Sequence, residues 1–148
     1  MTLSREARLV AGVTLLTVPT IMYGGATLLG ILTKGAAGIS PGNLALDQTQ
    51  WALFRAGHAH AGVWLVLSLV IQVLLDSAAL SVKLKWLARV AAPLAAVAIS
   101  GGFFGLAYNS DFTWLLYFGA ACLVVVVLLT GAGLLRRPNV TAQRGGGN

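Results

Sequence analysis

Four long apolar runs alternate with short polar segments along the chain, at roughly 9–33, 51–75, 87–108 and 113–135. An α-helix needs about 20 apolar residues to cross a hydrocarbon core of ~30 Å, so each run predicts one membrane span. The connection between runs two and three and the "NSDF" between runs three and four are short, which makes those helices antiparallel neighbours. The pattern predicts an all-α, antiparallel four-helix transmembrane bundle over residues 1–137, followed by a polar, glycine-rich tail at 138–148 expected to be disordered. The first run has a basic start but is too long for a cleaved leader, and is read as a helix that stays.

Breakers and small residues add detail. Pro19 lies near the middle of the first run and predicts a kink there, because proline removes one helical hydrogen bond. The segment between runs one and two, "KGAAGISPGNLALDQTQ", is the longest connection and is rich in turn-forming residues. In the third run, Ala91, Ala95, Ala98, Gly102 and Gly105 share a sector of about 80°, with Gly101 at its edge. Such spacing lets helix backbones approach closely. Gly101 and Gly105, with Gly62 in the second run, are therefore the candidate packing glycines. Phe103 and Phe104 point away from this stripe and are expected to face lipid.

Composition supports the membrane assignment. The 148 residues are 57% hydrophobic and only 9% charged, whereas a soluble domain carries about a quarter charged residues. Net charge is +6, yet the placement of the charges points to topology rather than nucleic acid. Arg5, Arg8, Lys83, Lys85, Arg89, Arg136, Arg137 and Arg144 fall on one side of the predicted bundle, and only Lys34 and Arg55 on the other. Basic residues concentrate in cytoplasmic connections, so both termini are expected inside, in a bacterial inner membrane or comparable cell membrane. Trp51, Trp86 and Trp114 stand near span ends, as interfacial anchors do.

Candidate chemistry concentrates in "WALFRAGHAHAGVWLVLSLV", residues 51–70, which holds both histidines and Arg55. At about 100° per residue, Arg55 lies ~60° from His58, with Gln72 and Asp76 also on that side of the helix. His60 lies ~200° away, so the two rings cannot ligate one ion from a regular helix. Ionisable groups inside a membrane are costly and mark either a functional path or a paired structural group. His58, Arg55 and His60 are thus the candidate cofactor-binding residues. Met22, His60, Ser100 and Cys122 come out at similar depth, and a thioether, an imidazole, a hydroxyl and a thiol together would form a soft site suited to copper as Cu(I), with Met22, His60 and Cys122 as its ligands.

The segment "FRAGHAHAG" resembles the second-helix signature of haem–copper oxidase catalytic subunits, especially the nitric oxide reductase branch. The chain is also similar in plan to small four-span bacterial membrane proteins with a GHAHAG second helix. The oxidase resemblance implies His58 as an axial haem b ligand and Arg55 as a propionate partner. It covers about ten residues. A family core of about twelve helices with at least six histidines cannot be assembled from two histidines and four spans, so reduction of oxygen or nitric oxide by this chain alone is excluded. A bis-histidine haem would need a homodimer or a partner's ligand.

No nucleophile–base pair, carboxylate dyad, phosphate loop or CxxC indicates an enzyme. Three readings stay open at this stage. The first is an accessory or assembly component of a membrane complex, with an Arg/His cluster near the outer face. The second is a haem b- or copper-binding redox protein. The third is an oligomeric transporter. The partners implied are the lipid bilayer and either a second copy or a larger complex, with no nucleic acid.

Overall fold

The computed structural model describes residues 2–39 and 44–136, and the expected disordered tail lies outside them. Among the described residues every regular element is helical. They form four apolar helices long enough to cross a membrane. The first is split into α1 (Arg5–Leu16) and α2 (Val18–Leu32). The others are α3 (Gln48–Ser77), α4 (Val82–Leu106) and α5 (Thr113–Leu135), the last preceded by a single 3-10 turn at Ser110–Phe112.

Local chemistry sets the boundaries. Ser4 caps α1 by accepting from the Ala7 amide at 3.1 Å, and Ser81 caps α4 in the same way through Leu84. Asp47 opens α3 with a full capping box: its carboxylate accepts from the Gln50 amide at 2.8 Å, and the Gln50 side chain accepts from the Asp47 amide at 3.1 Å. The other end of the Gln50 amide donates to the Ala107 carbonyl at 3.1 Å, tying the start of α3 to the end of α4. The kink expected at Pro19 is a break at Thr17, with proline in the first turn of the new helix, where its missing N–H costs nothing. The Thr17 and Thr20 hydroxyls donate to the carbonyls of Thr14 and Thr17, which also accept from the Thr17 and Thr20 amides in the tightened turn at the break.

Packing is uneven. α4 is the hub: it contacts α3 and α5 along most of its length. Paired contacts rise in number on one helix as they fall on the next, as Phe54–Phe104 and Gln72–Arg89 do for α3 and α4. The small-residue stripe of α4 faces α5. A side chain at Gly102 would meet the Leu116 backbone nitrogen at 2.9 Å, and one at Gly119 would meet Ile99 N at 2.8 Å. These two helices therefore touch backbone to backbone, the arrangement that drives association where apolar burial gives no advantage over lipid. Ile71, Leu75, Ala88, Ala92 and Val126 form the buried cluster at the far end. The first span is different. α2 touches only α1 and α3, and just 6% of the span's apolar window is buried, against 50% for α4.

Two expectations are corrected. Phe103 and Phe104 do not face lipid: Phe104 packs on Gly57 and sits 5.5 Å from Phe54, while Phe103 lies 4.7 Å from the His60 ring. A helical wheel gives relative angles but not the arc a neighbour covers, and α3 covers this one. Gly62 is not a packing glycine within the chain, since nothing lies within 4 Å of its missing Cβ. Gly101 makes only ordinary contact with Leu115 at 3.7 Å, and Gly105 receives the Phe112 ring.

Candidate functional site: a buried polar junction

The most desolvated charge in the described chain is Arg89, 3% exposed and seven residues into α4. At 1.5 Å per residue that places it ~10 Å along the helix. A guanidinium there must be paired and hydrogen-bonded to persist. Its Nη2 donates to Asp76 Oδ1 at 2.5 Å and to Ser4 Oγ at 3.3 Å. Its Nη1 donates to the Gln72 carbonyl at 3.1 Å, with Gln72 Oε1 at 3.4 Å. Asp76 in turn accepts from the Ser4 amide at 2.9 Å through Oδ2. Three elements meet in this cluster: the cap of α1, the last turns of α3 and the second turn of α4.

A proline explains the shape of the cluster. Pro93 lies inside α4 and has no N–H to give to the carbonyl four residues back, which is that of Arg89. Gln72 is fully buried, and its Nε2 donates to that same carbonyl at 3.0 Å. Gln72 and Arg89 therefore exchange bonds in both directions: side-chain amide to backbone carbonyl one way, guanidinium to backbone carbonyl the other. Neighbouring helices commonly satisfy the carbonyl that a proline frees in a membrane span, and here the residue that does so also orients the arginine.

A cavity of about 460 Å³ borders the junction, with Glu6, Asp76, Lys85, Trp86 and Arg89 among its walls. Two carboxylates and two cations balance there, so the cavity carries no net preference for a charged ligand. The junction presents no unpaired nucleophile or base. Its chemistry is that of a lock that positions three helix ends.

The histidines lie elsewhere. The buried residues of α3 include Gly57, Leu65, Ser68, Ile71, Gln72 and Leu75. On the wheel these centre at about 270° from His58, with His58 and His60 on opposite flanks of that arc. His58 is half-buried against α2: a Cβ on Gly25 would fall 2.9 Å from its Cε1 and Nε2, so the ring fills the space this glycine leaves. His60 donates through Nδ1 to the Ala56 carbonyl at 2.7 Å and stacks near Phe103 and Trp64. Arg55 is exposed. The predicted polar face of Arg55, His58, Gln72 and Asp76 is therefore split, with Gln72 and Asp76 in the junction and Arg55 near the opposite end.

The soft-metal set is not gathered. Met22 is 69% exposed on α2, Cys122 is on α5, and those two helices do not touch. Among the described residues no three His, Cys, Asp or Glu side chains converge. For haem, the His58 Nε2 edge faces α2 backbone, and an axial position there would require α2 to move aside. Comparison with family models, curated proteins and solved structures returns no match to this chain.

Arg89 is the junction residue that charge counting misplaces. Counted as a topology charge beside the connection, it is in fact buried two turns inside the span. The signal was present in "LARVAAPLAA": a cation in an apolar run, followed four residues later by a proline.

Proposed function

We propose that this chain is an accessory or assembly component of a larger membrane complex, with both termini on the cytoplasmic side. The observation that carries the reading is the sparse burial of the first span, 6% of its apolar window, beside an α4 that is half buried. Between them runs a groove of about 690 Å³, walled by Val13, Thr14, Thr17, Pro93, Val97 and Ser100. Its surface is almost entirely apolar, and the hydroxyls of Thr14, Thr17 and Thr20 along it donate to carbonyls of their own span. A helix of a partner laid in that groove would gain van der Waals packing. The polar junction supports the same reading, because it holds the Ser4 end of α1 in place while leaving the rest of the arm open to a partner. The orientation is supported by Arg5, Arg8, Lys83, Lys85 and Arg136 at the junction end, against Lys34 and Arg55 at the other.

The test is site-specific photo-crosslinking in native membranes. Val13, Val97 and Leu128 are similarly exposed, at 59%, 69% and 66%. Crosslinks to one protein of defined mass are expected from Val13 and Val97 and not from Leu128, on the outer surface of α5. Equal labelling at all three positions, or lipid adducts alone, would refute the reading.

The resemblance of "FRAGHAHAG" to oxidase second helices supports a second reading, haem b or copper held through His58. The absorption spectrum and metal content of the chain purified from its native membrane decide between them. A haem protein loses its Soret band on His58→Ala and keeps it on His60→Ala. A preparation free of haem and metal removes the second reading.

A further inference from the structure

At the end of the bundle opposite the junction, the two cations set apart by the charge pattern come together. Lys34, just beyond α2, and Arg55, in the second turn of α3, line one groove of about 440 Å³ with Gln48, Trp51, Ile31 and Leu32. We propose that this groove is a binding site for an anionic phospholipid, with its phosphodiester between Lys34 and Arg55 and an acyl chain along Ile31 and Leu32.

Charge is the first argument. The chain has four acidic residues, and none lines this groove. Asp47 is the nearest in sequence, and its carboxylate caps the Gln50 amide. Asp111 accepts from the Asn109 side chain at 3.2 Å in the turn before α5. Glu6 and Asp76 belong to the junction end. Among the described residues the one ion pair is Arg89–Asp76. Residues 40–43, in the same connection, are Ser, Pro, Gly and Asn and bring no charge. Two positive charges therefore share a groove without a counter-charge from the protein.

Depth is the second argument. Arg55 lies seven residues into a helix of 30 residues, which is ~10 Å along a rod of ~45 Å. A hydrocarbon core of ~30 Å centred on that rod begins ~7 Å from its end, so Arg55 sits just inside the boundary and extends its guanidinium back to headgroup level. Lys34 meets it from α2, where the helix ends in a left-handed turn (φ 52°) that directs the chain away from the span. Both cations lie where lipid phosphates lie.

The groove floor is the third argument, and it selects the source. A free phosphate ion would use only the two cations. A phospholipid also covers Ile31 and Leu32, and Trp51 is the kind of side chain that sits among headgroups. A zwitterionic lipid carries its own ammonium beside the phosphate, whereas a lipid with net negative charge leaves both protein cations unopposed. Each basic residue near an anionic surface contributes about fivefold in binding, so the pair favours the anionic headgroup by about tenfold or more.

Native mass spectrometry of the full chain tests this, with phosphatidylglycerol and phosphatidylcholine of identical acyl chains as probes. Phosphatidylglycerol is expected to be retained about tenfold more strongly, and Lys34→Gln with Arg55→Gln to bring it down to the phosphatidylcholine level. The charge-keeping pair Lys34→Arg with Arg55→Lys should retain the preference, which separates loss of charge from loss of fold. Neutralising Lys83 and Arg136 at the other end should leave it intact. If that control lowers retention as much as the Lys34/Arg55 change, binding reports net charge alone and the site is refuted. Displacement of phosphatidylglycerol by millimolar inorganic phosphate would equally overturn it, because the groove would then be a phosphate site without a lipid component.

Discussion

Replacing Gln72 by leucine tests whether the junction is built around Pro93. The substitution removes the one side-chain donor that, among the described residues, reaches the Arg89 carbonyl. Pro93 cannot replace it, and with Arg89 3% exposed water has little access. A buried carbonyl left without a partner costs about 1–3 kcal/mol. The guanidinium is affected less, because Nη1 keeps the Gln72 backbone carbonyl at 3.1 Å and loses only the longer contact to Oε1. Van der Waals packing of the leucine offsets part of the loss, leaving a net destabilisation of about 1–2 kcal/mol. In a Pro93→Ala background the new amide N–H can donate to the Arg89 carbonyl itself. The same Gln72→Leu change should then cost less than about 0.5 kcal/mol, a coupling near 1 kcal/mol between two residues on different helices. The four proteins of this cycle can be unfolded with SDS in mixed micelles and followed by far-ultraviolet circular dichroism. Equal costs of Gln72→Leu in both backgrounds, within about 0.3 kcal/mol, would show that the glutamine is not there to serve the proline.

Other substitutions probe neighbouring parts of the same account. Asp76→Ala strands a buried guanidinium that still has Gln72 and Ser4, so a loss of about 3 kcal/mol is expected in the same unfolding assay. The double change Asp76→Leu with Arg89→Met should recover most of that loss, since removing both charges ends the desolvation problem. Gly102→Leu meets the Leu116 backbone, which cannot rotate away, and should cost about 2 kcal/mol or more, whereas Gly62→Leu enters open space and should stay within about 0.5 kcal/mol.

The four spans, their lengths and the all-helical class were legible from the sequence because membrane insertion depends on apolar length alone, a property read along one dimension. Helix ends were nearly as plain. Asp47, Ser4 and Ser81 act on amides three residues away, so their role is local. Opposite directions for His58 and His60 also followed from helical period, without any neighbour.

What surrounds each residue was decided by the packing. Arg89 and Asp76 are 13 residues apart, and Arg89 and Ser4 85 apart, so no local pattern joins them. The sequence placed Gln72 and Asp76 on one face but could not say that α4 would bring an arginine to them instead of α2 bringing a partner to His58. The wheel fixes angles within a helix and leaves its rotation in the bundle free. In this bundle the rotation is set by glycine contacts between α4 and α5 and by the carbonyl that Pro93 exposes. Those two constraints turned the arc between the histidines toward the core and left the rings at its edges. The protein's membrane character is thus a consequence of composition, while its polar junction exists only because three helix ends converge where the lipid offers no other partner for a charge.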